Sequence, residues 1–114
     1  MDNRTIGILG GGQLGRMMVE AANKLGIAVA ILDPQGTSSP AGQLSKLAIE
    51  GSFQNKDGNK IKELACLSDV MTTEIEHIDT IALEELENEG KVVHPNSKTI
   101  RLIQDKYLQK VRVL

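Results

Sequence analysis

Thr5-Ile6-Gly7-Ile8-Leu9-Gly10-Gly11-Gly12-Gln13-Leu14-Gly15 runs from a short apolar stretch through a glycine turn into an amphipathic one. The apolar run reads as a buried strand stopped by glycine. Beyond it Leu14, Met17, Met18, Ala21, Ala22 and Leu25 recur at helical spacing, and this face is expected to lie inward. Gly26 closes that helix. Gly10, Gly12 and Gly15 therefore form a G-x-G-x-x-G between a strand and a helix, the context that gives the pattern meaning. Gly10 permits the tight turn, Gly12 lets an anionic ligand approach the backbone, and Gly15 lets the helix lie close to the sheet. N–H groups at the helix start then face a ligand. The competing explanation is that the glycines serve only the turn.

Working outward, Ala28 to Leu32 is a second apolar strand ended by Asp33-Pro34, and residues 34–45 read as a loop. Leu47 to Ile49 is a weaker strand. Asp57 to Leu67 is a helix with Ile61, Leu64 and Ala65 inward, and Val70 to Thr73 is a fourth strand. Thr80 to Glu89 is a helix that buries Leu83 and Leu86. Lys91 to His94 is a fifth strand stopped by Pro95, and Ser97 opens a last helix through Ile100, Ile103, Tyr107 and Leu108. This alternation predicts an α/β fold, a Rossmann-like parallel sheet with helices on both faces.

The 114 residues suit one domain, and with Phe53 and Tyr107 as the only aromatics its core must be aliphatic. A net charge of −2 argues against a nucleic-acid or anionic-membrane binder. The single cysteine, Cys66, excludes an internal disulfide and a cysteine zinc cluster. No apolar run reaches the roughly 18 residues of a membrane span, and the first residues do not read as a signal peptide. A cytoplasmic location is expected. Val111-Arg112-Val113-Leu114 ends without glycine, proline or cap, which suggests a chain cut from something longer.

Two acidic positions stand out. Asp33 follows Gly15 by 18 residues, at the end of strand two. In a dinucleotide enzyme an acid there holds the ribose hydroxyls, so an NAD-binding dehydrogenase domain is a rival reading; an Asp-Pro turn opener is the plainer one. Thr73-Glu74-Ile75-Glu76-His77 follows strand four, which should lie beside strand one at the topological switch point. Glu74 is placed to accept hydrogen bonds from hydroxyls or an amine. Glu76 points the same way or into a structural ion pair. The pair could serve as general acid and base, or more weakly as a metal site, but spacing alone shows neither. His77 and His94 read as surface or packing residues.

Three blocks carry a resemblance: Thr5 to Met17, Thr73 to His77, and Thr99-Ile100-Arg101-Leu102-Ile103-Gln104-Asp105-Lys106-Tyr107. In this order they resemble the opening of 5-(carboxyamino)imidazole ribonucleotide synthase, which in fungi forms the front of the bifunctional phosphoribosylaminoimidazole carboxylase. GGGQLGRM is far more specific than a bare G-x-G-x-x-G, and the third block looks most like the fungal branch. The resemblance implies an ATP-grasp ligase of purine synthesis. ATP and bicarbonate give carboxyphosphate, which carboxylates the exocyclic amine of aminoimidazole ribonucleotide. Residues 1–95 would be the Rossmann-like pre-ATP-grasp domain and 96–114 a helical lead-in to an absent ATP-grasp domain. Gly11, Gly12, Gln13, Leu14 and Glu74 would line the substrate pocket, with Asp33 and Glu76 as further ribose or substrate contacts. Lys106 would touch the ATP nucleotide, while Arg101 and Lys98 read as helix-surface residues. No catalytic residue and no metal ligand is assigned. ATP and magnesium would belong to the full-length enzyme, with no cofactor bound tightly here. The implied partners are the ribonucleotide, the missing domain and a second copy in a homo-oligomer, with neither nucleic acid nor membrane. No role is transferred to residues 34–46. A scaffolding module without ligand chemistry is a third reading.

Overall fold

The computed structural model describes residues 4–53, 60–74 and 78–113, with side-chain surroundings as far as residue 105. Five parallel strands carry the chain: β1 (Thr5–Leu9), β2 (Ala28–Asp33), β3 (Leu47–Glu50), β4 (Val70–Thr73) and β5 (Val92–His94). They stand in the order β3-β2-β1-β4-β5. The order reverses between β1 and β4, where Leu9 pairs with Thr73, so the carboxyl ends of these two strands flank the crevice of the sheet.

Among the described residues three helices connect strands, α1 (Gln13–Lys24), α2 (Lys60–Cys66) and α3 (Thr80–Asn88), and a fourth, α4 (Ser97–Val113), follows β5. The expected elements are all present among the described residues: β1 and β4 have the expected bounds, and β2, β3, α3 and β5 each differ by one residue at one end. Residues 57–59 of the expected second helix lie outside the described residues. The expected loop after β2 contains a short 3-10 turn, Gly36–Ser38.

Alternation along the strands divides the core in two. Ile8, Val29 and Ile31 pack with Val19, Ala22 and Ala41 on the α1 face. Leu9, Leu32, Met71 and Val93 pack with Ile61, Leu64, Leu83, Leu86 and Ile100 on the other, beneath α2, α3 and α4. Helices therefore cover both faces, one against three. The inward residues of α2 and α3 are those expected, and Asp79 caps α3 by accepting from Ile81 and Ala82 N–H.

The inward face of α1 requires a correction. Leu14 is 60% exposed, Met17 63% and Leu25 73%. Ala22 is buried as expected and Met18 packs at the core's edge, but the other buried positions are Gly15 and Val19. Apolar periodicity weights large side chains. A helix lying close on a sheet presents its small ones there, and an added Cβ on Gly15 would stand 2.8 Å from Gly10 O and 3.3 Å from Ala41 Cβ. The same holds in part for α4, where Ile100 is buried but Ile103 is exposed. The side chains of Tyr107 and Leu108 lie outside the described residues.

On the opposite face Gly7 lets α2 rest directly on β1. An added Cβ would overlap Ser68 Oγ and lie 3.3 Å from Leu64 Cγ. Ser68 is not free to move, because its hydroxyl donates to Leu64 O at 2.7 Å. Gly7→Ala is expected to cost about 1–3 kcal/mol through overpacking. Ser68→Gly clears the space, so the two substitutions should couple favourably by about 1 kcal/mol in a denaturant double-mutant cycle.

Candidate functional site

The glycine loop and the end of β4 meet at the crevice. Gly10 has φ +111°, a value L side chains rarely adopt, and its N–H donates to Leu32 O at 2.9 Å. The chain thereby turns off β1 and enters α1 with Gly12 at the N-cap position. Gly12 has no side chain to cap the helix. Glu74 supplies the cap from β4: one carboxylate oxygen accepts from Gly12 N–H and the other from Gly15 N–H at 2.5 Å. Glu74 is itself placed by its own N–H, which donates to Leu9 O at 3.1 Å. A carboxylate at the positive end of a helix dipole is favoured electrostatically as well as by its hydrogen bonds.

Gly12 is needed for space. An added Cβ would lie 2.7 Å from Glu74 Oε1. Thus the close approach expected at Gly12 is made by the protein's own carboxylate. Asp33 does the equivalent at the neighbouring residue: its Oδ2 accepts from Gly11 N–H at 2.9 Å and its Oδ1 from Gln35 N–H at 2.9 Å. The N–H groups of Gly10, Gly11, Gly12 and Gly15 all have protein acceptors. A pyrophosphate laid on Gly12 would have to displace the Glu74 carboxylate from Gly12 N–H. This is a physical reason why the loop does not suit a dinucleotide.

What the site offers a ligand is different. Gln13 and Leu14 stand exposed in the first turn of α1, where a helix's own ladder leaves N–H groups without acceptors. Beside them Glu74, half-buried, keeps lone pairs beyond the two that its backbone donors occupy. The arrangement suits a ligand that carries hydroxyl or amine donors and an anionic end.

Of the expected site residues, the fold brings Gly11, Gly12, Gln13, Leu14, Glu74 and Asp33 together. Glu76 and His77 lie outside the described residues. Lys106 lies in α4 but its side chain is outside the described part. His94 is exposed at the end of β5, and among the described residues no group of three or more His, Cys, Asp or Glu could hold a metal. Sequence reasoning missed Ser39 and Ala41, both buried against the glycine loop. Ala41 N–H donates to Gly11 O at 2.8 Å. Their signal was the small-residue run Ser39-Pro40-Ala41-Gly42, which reads equally well as an ordinary loop.

Comparison with known proteins gives a consistent answer. Residues 3–104 match the family described as the ribonucleotide synthetase preATP-grasp domain. The chain is 53% identical to phosphoribosylaminoimidazole carboxylase of Candida glabrata over 114 aligned positions, covering 96% of this chain and 19% of that protein. It is 39% identical to N5-carboxyaminoimidazole ribonucleotide synthase of Brucella melitensis, covering 93% of this chain and 28% of that protein. The crystal structure of N5-carboxyaminoimidazole ribonucleotide synthetase from Thermotoga maritima superposes with a TM-score of 0.85 at 47% identity, over 94% of this chain and 29% of that one. The Aspergillus clavatus synthase, solved in complex with ADP and 5-aminoimidazole ribonucleotide, superposes with a TM-score of 0.80 at 47% identity, over 94% of this chain and 28% of that one. The chain spans about a fifth of the length of the fungal carboxylases it matches. With the sheet order, the glycine loop and the match over residues 3–104 in agreement, this chain belongs to the ribonucleotide synthetase preATP-grasp domain family.

Proposed function

We propose that this chain is the N-terminal, substrate-binding part of an enzyme that carboxylates aminoimidazole ribonucleotide with ATP and bicarbonate in purine synthesis. The observation that carries the reading is Glu74, drawn by Gly12 and Gly15 N–H to the crevice beside the first turn of α1. In this reading Glu74 accepts from donor groups of the ribonucleotide. Gln13 and Leu14 present N–H groups to its anionic end, and Gly11 and Gly12 keep the wall thin enough for close approach. The relative solved with ADP and 5-aminoimidazole ribonucleotide supports this choice of ligand.

Residues 1–95 form the Rossmann-like unit in this proposal, and residues 96–114 lead into an ATP-grasp fold. Lys106 would reach toward ATP phosphates, as a cation suits. Magnesium would be held by carboxylates of the ATP-grasp fold in the full-length enzyme. Bicarbonate, activated by ATP as carboxyphosphate, would receive the amine of the ribonucleotide at its carbonyl carbon and lose phosphate. The chain's own share is to hold and orient that amine, so it is expected to be inactive alone. No described helix is long and apolar enough to cross a membrane. A cytoplasmic, homo-oligomeric full-length enzyme completes the proposal.

Isothermal calorimetry tests it. The chain should give saturable heat with aminoimidazole ribonucleotide and none with NAD at equal concentration. Tight NAD binding without ribonucleotide binding would overturn the reading.

A further inference from the structure

The last residue of β2 and the segment that follows it hold the glycine loop at Gly11. Gly11 N–H donates to Asp33 Oδ2 at 2.9 Å, and Gly11 O accepts from Ala41 N–H at 2.8 Å. Ser39 is buried behind it, donating to Gly36 O at 2.7 Å and accepting from Gly42 N–H at 3.0 Å. An added Cβ on Gly11 would lie 2.5 Å from Ser39 Oγ and 3.1 Å from Asp33 Cβ, so the loop lies flat on this turn.

The consequence follows from peptide geometry. Gly11 C=O and Gly12 N–H belong to one planar trans unit and point in opposite directions. Ala41 holds the oxygen of that unit, and Glu74 holds its hydrogen. Asp33 holds the N–H of the preceding unit. A rotation of the Gly11–Gly12 unit would turn Gly12 N–H away from Glu74, and Gly11 is held against it on both sides, at its N–H by Asp33 and at its C=O by Ala41. We infer that Asp33 is a positioning residue of the ribonucleotide site and not a substrate contact: with the Ser39–Gly42 turn it orients the Gly11–Gly12 peptide, and through it the carboxylate of Glu74. This rests on the substrate reading above for the identity of the ligand. It does not rest on that reading for the coupling between Asp33 and Gly12.

Asp33→Asn is nearly isosteric and keeps one acceptor oxygen of two; Asp33→Ala keeps none. Amide exchange by NMR on the unliganded chain is the first readout. In Asp33→Ala, exchange at Gly12 and Gly15, whose acceptor is Glu74, should quicken about tenfold, with Asp33→Asn intermediate. Quickening confined to Gly11 and Gln35 would show a merely local role and overturn the proposal. Calorimetry is the second. The dissociation constant in Asp33→Asn should rise about tenfold for aminoimidazole ribonucleotide and by the same factor for its 2′-deoxy and 3′-deoxy analogues. A penalty that disappears with one analogue would make Asp33 a contact to that hydroxyl and overturn the proposal. A wild-type chain that binds no ribonucleotide would overturn the substrate reading, and exchange at Gly12 would then decide the coupling by itself. If Asp33→Ala does not fold, Ser39→Ala removes the support of the turn without touching a carboxylate and should quicken exchange at Gly12 in the same way.

Discussion

Glu74→Ala is expected to abolish ribonucleotide binding while leaving the sheet intact. The side chain accepts from Gly12 and Gly15 N–H, and charge-assisted hydrogen bonds of this kind contribute about 1.5–3 kcal/mol each. Removing it leaves two backbone donors at the start of α1 without their acceptor, and takes away the acceptor that the ligand would use. A loss of affinity of at least about 100-fold is expected by calorimetry. Glu74→Gln should fall between, because an amide offers one acceptor oxygen and turns its NH2 toward the other N–H. Gly12→Val approaches the same contact from the other side, since its Cβ would stand 2.7 Å from Glu74 Oε1. Near-normal affinity in all three would exclude this crevice as the substrate site. In each variant the far-UV circular dichroism should remain that of the parent, because the core clusters do not include Glu74.

Leu64→Ala should cause the largest loss of stability. Leu64 is fully buried on α2 and belongs to the larger core cluster. Leucine-to-alanine changes at such sites cost about 2–5 kcal/mol, and the cost grows with the cavity left behind. Here the facing residue on β1 is Gly7, whose absent Cβ would be 3.3 Å from Leu64 Cγ. Glycine has nothing to lean into the gap, so the upper part of that range is expected. For a domain of this size the midpoint of thermal unfolding should fall by roughly 12–20 °C. A fall of only a few degrees would mean that α2 does not rest on β1 as described. Leu102→Ala, by contrast, truncates a side chain that is mostly exposed and should change stability by less than about 0.5 kcal/mol.

The parts of the fold that were legible share one property: their signal is local. β1 and β2 are mostly apolar runs with abrupt glycine or acidic ends, and a strand covered on both faces needs little else. The strand-glycine-helix order at residues 5–15 specified the switch-point architecture for the same reason. The inward face of α1 was misread because its contact is made by small residues. Gly15 counts for nothing in a hydrophobic tally, yet it is the residue that touches the neighbouring backbone. Leu14 and Met17 count for much and remain exposed.

At the site the sequence alone identified the residue types: a glycine loop after β1, an acid after β2 and an acid after β4. It also identified the family, through blocks too long and too ordered to arise from turn chemistry. What it left undetermined was which group each N–H would meet. Glu74 is 62 residues from Gly12 and Asp33 is 22 from Gly11, and hydrogen bonds across such separations have no local signature. Only parallel pairing of β1 with β2 and β4 places both carboxylates at the loop. The tertiary structure thereby turned a motif that reads as an empty anion cradle into one filled by the protein's own acids, because a strand end presents its side chain wherever its neighbours in the sheet, and not in the chain, require.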